Sequence, residues 1–263
     1  MGLLEAAILG LVQGASEFLP ISSSGHLVLV QHLLGLGGAE NLVFDLLLHA
    51  ATLGAVALAF RRELYALIRG AVGDRAQQRL LMALSVAFLT TVLMALGIES
   101  LVKTAFEKPS WVGAFLMTTG GLLYLSPRLR AGSGGLNELG LRQAIWIGLI
   151  QGAAALPGIS RSGATICAGI LAGLHPEAAT RFSFLLSIPT IAAAIVWSAL
   201  HMDGSEVAVA PVAAGMLVAL VVGLASIRWL LRIARRGRFD LFAVYTALLG
   251  AAAIIGTLVA RHR

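Results

Sequence analysis

Two short polar stretches carry the side chains that could do chemistry: PISSSGH over 20–26 and PGISRSGAT over 157–165. In the second, Gly158 to Gly163 stands before an apolar run, so it reads as the start of a helix. There, backbone N–H groups without helical partners point at an anion and the positive end of the helix dipole adds to them. Gly158 and Gly163 let a ligand approach, Ser160, Ser162 and Thr165 offer hydroxyls, and Arg161 supplies a planar fork of donors suited to phosphate oxygens. In the first stretch, at most one of Ser22, Ser23 and Ser24 is a nucleophile, and the others donate hydrogen bonds or cap a helix. His26 has the chemistry of a base, an acid or a nucleophile toward phosphorus. Glu17 lies just upstream with three roles open to it: neutralising Arg161, activating a nucleophile, or holding a divalent cation together with Gln13 one helical turn earlier. All these groups suit phosphate, and by themselves they do not choose between hydrolysis and transport.

The elements that must position them lie in a bilayer. Of 263 residues, 58% are hydrophobic and 12% charged, against about 25% charged in a soluble domain. Several long apolar runs predict a polytopic all-α protein rather than a transmembrane barrel, whose strands alternate over roughly ten residues. The first residues lack a basic region and carry Glu5, so no signal peptide is expected there. The single cysteine, Cys167, excludes an internal disulfide and is expected as a packing residue. The net charge of +6 falls in short loops between apolar runs. That is the positive-inside pattern, and with no basic stripe interleaved with aromatics no nucleic-acid partner is expected.

Residues 3–35 are apolar but broken by Gln13, Glu17, Pro20 and the serine cluster, and each half is shorter than the roughly 20 residues that cross a hydrocarbon core. A re-entrant hairpin follows, with its polar tip buried by protein or facing water. Spans are predicted near 43–60, 77–97 and 110–126, a second broken segment over 143–173, and spans near 178–200, 208–228 and 240–260. Asp45 and His49, four apart on the first span, share a face, pairing with each other or lining the cavity. Pro189 is expected to kink its helix. Connections 61–79, 128–142 and 228–238 are basic, and those near 99–108 and around Asp203 and Glu206 are not. The basic ones are therefore cytoplasmic and both termini outside, against the tail Arg261-His262-Arg263.

Placing residues 10–25 over 148–163 at an offset of 138 matches nine of sixteen positions, including Gln13-Gly14 with Gln151-Gly152 and Ser22-x-Ser24-Gly25 with Ser160-x-Ser162-Gly163. This predicts one membrane domain over 1–263 made of two repeats, about 1–130 and 140–263, each a re-entrant helical hairpin plus three transmembrane helices. Three spans separate the hairpins, so the second copy is inverted and the two tips meet near the midplane, as in inverted-repeat transporters.

The stretches QGASEFLPISSSGH (13–26), FDLLLHAATLGAV (44–56), QGAAALPGISRSGAT (151–165) and FSFLLSIP (182–189) resemble the bacitracin-resistance family of undecaprenyl-diphosphate phosphatases, in the family's order and over the whole chain. The resemblance implies hydrolysis of undecaprenyl diphosphate to the monophosphate carrier for peptidoglycan, on the outer face of the bacterial cytoplasmic membrane, with magnesium or calcium as cofactor. It implies Glu17 and Gln13 at the family's acidic motif and metal, Ser23 as the serine proposed to attack phosphorus, His26 as the motif histidine and rival nucleophile, and Arg161 as the phosphate-binding arginine. The partners expected are the polyprenyl diphosphate and membrane lipids, with a homodimer open to it. A flippase or anion transporter built on the same site is the alternative.

Overall fold

In the computed structural model the described residues are 1–36, 39–106, 109–129, 132–201 and 208–261, and among them every regular element is helical. In chain order they are α1 (Leu3–Ser16), α2 (Ser23–Leu33), α3 (Ala39–Ala59), α4 (Arg61–Gly70), α5 (Arg75–Gly97), α6 (Glu99–Phe106), α7 (Pro109–Leu129), α8 (Leu141–Ala153), α9 (Arg161–Leu171), α10 (Pro176–His201), α11 (Val209–Ala234) and α12 (Asp240–Arg261). Stretches Leu42–Ala59, Arg75–Gly97, Pro176–His201, Val209–Ala234 and Asp240–Thr257 are long and apolar enough to cross a membrane. The protein is a multi-pass, all-α membrane protein.

Both expected breaks are present. α1 and α2 are separated at 17–22, α8 and α9 at 154–160, and each half-helix is too short to cross alone. The two hairpins also start alike. The Gly2 N–H donates to Glu5 at 2.7 Å, and the Gly140 N–H to Gln143 at 2.6 Å, positions again 138 apart. Two segments read as loops are helical instead. α4 and α6 are short, and α4 carries Arg61, Arg62 and Arg69 while burying Leu67. Its charge hid a helix that turns one apolar edge inward. α10 continues through Pro189 as one helix. The loop with Asp203 and Glu206 and the tail His262-Arg263 lie outside the described residues.

Small residues fix the helix pairs, as expected where apolar lipid gives helices little other reason to associate. Gly10 and Gly14 of α1 pack directly on Gly215, Ala219 and Gly223 of α11, while Gly148 and Gly152 of α8 pack on Ala87, Thr91 and Met94 of α5. The offset of 138 carries the first glycine pair onto the second. α7 and α12 cross through Gly113, Gly120 and Gly250. Ascending numbers meet ascending numbers in α1–α11 and α8–α5. By contrast, Arg181 near the start of α10 meets Glu63 just beyond the end of α3, so α3 and α10 are antiparallel.

The core gathers on α10. Phe184 takes Phe18 and Phe60 edge-on at centroid distances of 5.6 and 5.8 Å, all three fully buried. Phe18 follows Glu17, so this aromatic contact anchors the tip of the first hairpin.

Gly14→Val tests the glycine pairing. A Cβ there would lie 2.6 Å from the Ala219 carbonyl oxygen, whereas one at Gly121 meets nothing within 4 Å. Overpacking of this kind costs about 1–3 kcal/mol. Thermal unfolding in detergent should show a lowered midpoint for Gly14→Val and an unchanged one for Gly121→Val.

Candidate active site

Glu17 lies just past the end of α1, 5% exposed. Its Oε1 accepts from Arg161, reaching across from the start of α9. Its Oε2 accepts from the Ser23 hydroxyl at 2.7 Å and from the Gln13 side-chain amide at 3.1 Å, and lies 3.8 Å from His49 Nε2. One carboxylate thus joins the first hairpin, the second hairpin and α3.

Glu17, Ser23 and Arg161 face a cavity of about 590 Å³ lined also by Asp45 and His49 from α3 and by Thr190, Trp197 and His201 from α10, with Gln13 buried behind Glu17. The His49 Nδ1 sits 2.8 Å from the Asp45 carbonyl oxygen, which can only accept, so Nδ1 carries a proton and Nε2 faces Glu17. Asp45 and His49 do not pair through their side chains: the Asp45 carboxylate accepts from Gln31 at 2.8 Å. The sequence offered cavity lining as one of two roles for this pair, and that is where they stand. Thr190, Trp197 and His201 gave no signal, because their helix reads as packing.

Other expected site residues stand elsewhere. The second loop spends its polar groups on itself. Ser160 Oγ accepts from the Gly163 N–H, the Ser160 N–H donates to Thr119, and the Thr119 hydroxyl donates in turn to the Gly158 carbonyl at 3.4 Å. Ser162 donates to the Leu19 carbonyl at 3.1 Å, tying α9 to the first hairpin's tip, and Thr165 shares a 2.5 Å hydrogen bond with Ser183. Gly158, Ser160, Ser162, Gly163 and Thr165, expected as an anion-binding loop, do not line this cavity; their hydroxyls and N–H groups hold the loop itself, and Arg161 is its residue on the cavity wall. Ser24 is exposed and also outside the lining.

His26 also stands outside the cavity wall. Its Nδ1 lies 2.8 Å from the Ser22 carbonyl oxygen and therefore donates, and the Tyr245 hydroxyl, 2.6 Å from Nε2, donates back. Both ring nitrogens are engaged and the ring is not part of the cavity wall, so it holds no lone pair toward a phosphorus atom there. What it grips is informative. Ser22 has φ +72°, the one described non-glycine residue in the left-handed region, a conformation costing of order 1 kcal/mol. His26 clamps the carbonyl of that strained residue, and the next residue is Ser23.

The donor set does not fit a resident divalent cation. Among the described residues no group of three or more His, Cys, Asp or Glu side chains converges. Both oxygens of Glu17 already accept from Arg161, Ser23 and Gln13. The Gln13 Oε1 is buried without a partner, but its amide nitrogen, not that oxygen, faces the carboxylate.

A family model described as bacitracin resistance protein BacA matches residues 6–252. The chain belongs to the BacA family. Among similar proteins, one from Desulfosudis oleivorans is 42% identical, the match covering 94% of this chain and 96% of the relative. One from Syntrophotalea carbinolica is 40% identical over 95% and 97%, and one from Methanobrevibacter smithii 37% identical over 98% and 99%. All three are named undecaprenyl-diphosphatase. The BacA assignment covers both hairpins and every helix that walls the cavity.

Replacement of His26 separates clamp from nucleophile. Asparagine keeps an N–H that can reach the Ser22 carbonyl, and alanine does not. Since small misplacements of reacting groups cost up to about a hundredfold, phosphate-release rates should fall at least about tenfold for His26→Ala and recover in large part for His26→Asn. An attacking imidazole would leave both equally inactive.

Proposed function

We propose that the chain is an undecaprenyl-diphosphatase: it hydrolyses undecaprenyl diphosphate to undecaprenyl phosphate and inorganic phosphate, regenerating the lipid carrier of cell-wall synthesis and thereby giving resistance to bacitracin. The observation that carries the reading is the Ser23–Glu17–Arg161 contact at the wall of a cavity inside a membrane protein. A hydroxyl held 2.7 Å from a buried carboxylate is a nucleophile with its base in place. Simple anion passage requires neither.

When the diphosphate enters, the Arg161 fork moves from Glu17 to the oxygens of the terminal phosphoryl group, where negative charge gathers in the transition state. Glu17, released from its cation, takes the Ser23 proton as Ser23 Oγ bonds to phosphorus and the bridging P–O bond breaks. The lipid monophosphate leaves. Glu17 gives that proton up to the departing monophosphate by way of His49 and is a carboxylate again. A water then gives a proton to Glu17 as its oxygen bonds to phosphorus, the P–Oγ bond breaks, and Ser23 Oγ takes the proton back from Glu17 as inorganic phosphate leaves. His49, with Nε2 on the cavity side, is placed to pass protons to and from these oxygens. A magnesium or calcium ion is proposed to arrive on the diphosphate, since a chain without a preformed cage relies on substrate phosphates for most of the ligands. Glu17 and Asp45 are the cavity's carboxylates.

The site is proposed to open to the outer face of the cytoplasmic membrane. The cavity is walled by the first half of α3 and the last half of α10, while Arg61, Arg181, Arg235 and Arg128 gather at the opposite ends of these and neighbouring helices. Basic ends are cytoplasmic. Both termini then lie outside, and the two hairpins are taken as inverted copies of one ancestral unit.

The decisive assay is phosphate release from undecaprenyl diphosphate by purified protein in detergent. The parent should turn over with magnesium or calcium. Arg161→Ala and Glu17→Gln should each lose about a hundredfold or more in rate while remaining monodisperse. With the terminal phosphate radiolabelled, acid quench should leave label on the peptide holding Ser23. Label absent from protein under turnover would replace Ser23 with water as nucleophile.

A further inference from the structure

The two halves of the fold treat equivalent helix seams differently. The offset of 138 carries α3 onto α10 and α5 onto α11, so the α3–α11 seam corresponds to the α10–α5 seam. The first is closed over its middle: Cβ atoms built at Gly215 and Gly223 lie 2.7 Å from the Phe44 ring and 3.1 Å from Ala55, and one at Gly54 lies 3.6 Å from Leu220. Its cavity of about 340 Å³ lies at the far end, where Arg61, Glu63, Arg181 and Arg228 give it a charged lining, and it does not reach Arg161. The second is open. Two cavities of about 430 and 450 Å³ lie along it and share Phe88.

The walls of this seam are mostly apolar, with Glu99, Ser198 and Ser85 among the polar residues that line it. Val92, Ala95, Leu96 and Ala193 line the upper cavity, and Leu84 and Ile188 the lower one, where α4 covers its far end through Leu64 and Leu67. At the junction with the active site stands a belt of hydrogen-bonded groups, Gln151 donating to Thr91 and Thr190 at 3.0 Å each. Above the belt, Arg161, Thr190, Ala194 and Trp197 belong to both the upper cavity and the catalytic one. A head group on Arg161 therefore has an apolar trough beginning at the same arginine.

We infer that the α5–α10 seam holds the polyprenyl chain of the substrate, the isoprene units nearest the diphosphate lying between Val92, Ala95 and Ala193 and the chain passing Phe88 toward α4. This rests on the phosphatase reading and adds the path of the tail to it. The continuity with Arg161 selects the occupant: a bilayer acyl chain would fill the trough equally well by shape but has no reason to end at the catalytic arginine. The middle of the twin seam shows that this fold can pack such a pair of helices tightly. The twin's own cavity, lined by Arg61, Glu63, Arg181 and Arg228, is charged and does not meet Arg161, so an apolar opening that reaches the arginine belongs to the α5–α10 side.

Ala95→Trp and Ala193→Trp, neither in the catalytic machinery, fill the upper cavity. Release of phosphate is compared for undecaprenyl diphosphate and isopentenyl diphosphate, whose single isoprene unit scarcely enters the trough. Because transfer energy scales with apolar area, kcat/KM on the long chain should fall at least about tenfold, mainly through KM. On isopentenyl diphosphate it should stay within about twofold of the parent. Equal losses on both substrates, or none on either, would overturn the assignment. Photo-crosslinking by a polyprenyl phosphate with a benzophenone on its chain reads the path without turnover. Label on α5 and α10 supports the groove even if the parent releases phosphate from neither substrate, an outcome that sinks only the phosphatase reading; label on other helices overturns the groove.

Discussion

The Glu17–Arg161 ion pair is the contact on which the remaining structure depends. Each charge comes from the tip of a different hairpin, and an unpaired charge at membrane depth costs several kcal/mol. Neither hairpin can place its tip without the other. This explains why the half-helices are held so closely: glycines let α1 and α8 reach the backbones of α11 and α5, Phe18 locks the first tip against Phe184, and Ser162 ties the second tip to the Leu19 carbonyl. Polar, non-helical backbone is tolerated there because protein surrounds it on most sides and a cavity on the remaining one.

The two hairpins, whose sequences match at the offset of 138, spend their polar groups differently. In the second, Ser160, Gly163, Thr119, Thr165 and Ser183 satisfy one another, and the product is a stiff mount for one arginine. In the first, the chain accepts strain at Ser22, whose buried hydroxyl has no partner among the described residues, and that turn delivers Ser23 to Glu17. Position 155, which corresponds to Glu17 at the offset of 138, is alanine, and position 161, corresponding to Ser23, is the arginine. Two identical tips would give two identical half-sites. The differences at these two positions leave a hydroxyl beside a carboxylate on one tip and an arginine on the other, which the proposed mechanism uses as nucleophile, base and phosphate clamp.

Much of this could be read from the sequence, for physical reasons that also explain what could not. Apolar runs interrupted by Pro20 and Pro157 with flanking serines force broken helices, because a bilayer leaves few alternatives, and the charges of Glu17 and Arg161 must then meet. The direction of individual hydroxyls was not readable. Ser160, Ser162 and Thr165 have the composition of an anion site, but such side chains serve equally as caps and ties, and here Thr119 and Ser183, on distant helices, decide which. His26 misled in the same way, since its partner Tyr245 lies 219 residues away. α4 was missed because three arginines conceal an apolar edge that only tertiary contact reveals.

Charge balance connects the ion pair to the open form of the cavity. In the free protein Arg161 is neutralised by Glu17, and Asp45 adds a further carboxylate to the same wall, so the site as it stands does not attract a diphosphate strongly. In the proposed mechanism Arg161 changes partners on binding, which strands Glu17 beside an incoming anion unless charge is supplied. A proton on His49 Nε2, 3.8 Å from Glu17, would supply it, as would the cation proposed to arrive on the diphosphate. Both routes need access from water. Side-chain exposures of 23% for Arg161 and 34% for His49, against 3% for Glu17, put the groups that must exchange partners toward the opening and the base behind them. A sealed chamber of the same residues would hold the ion pair shut; an open one lets the substrate, with its own counter-charge, displace it.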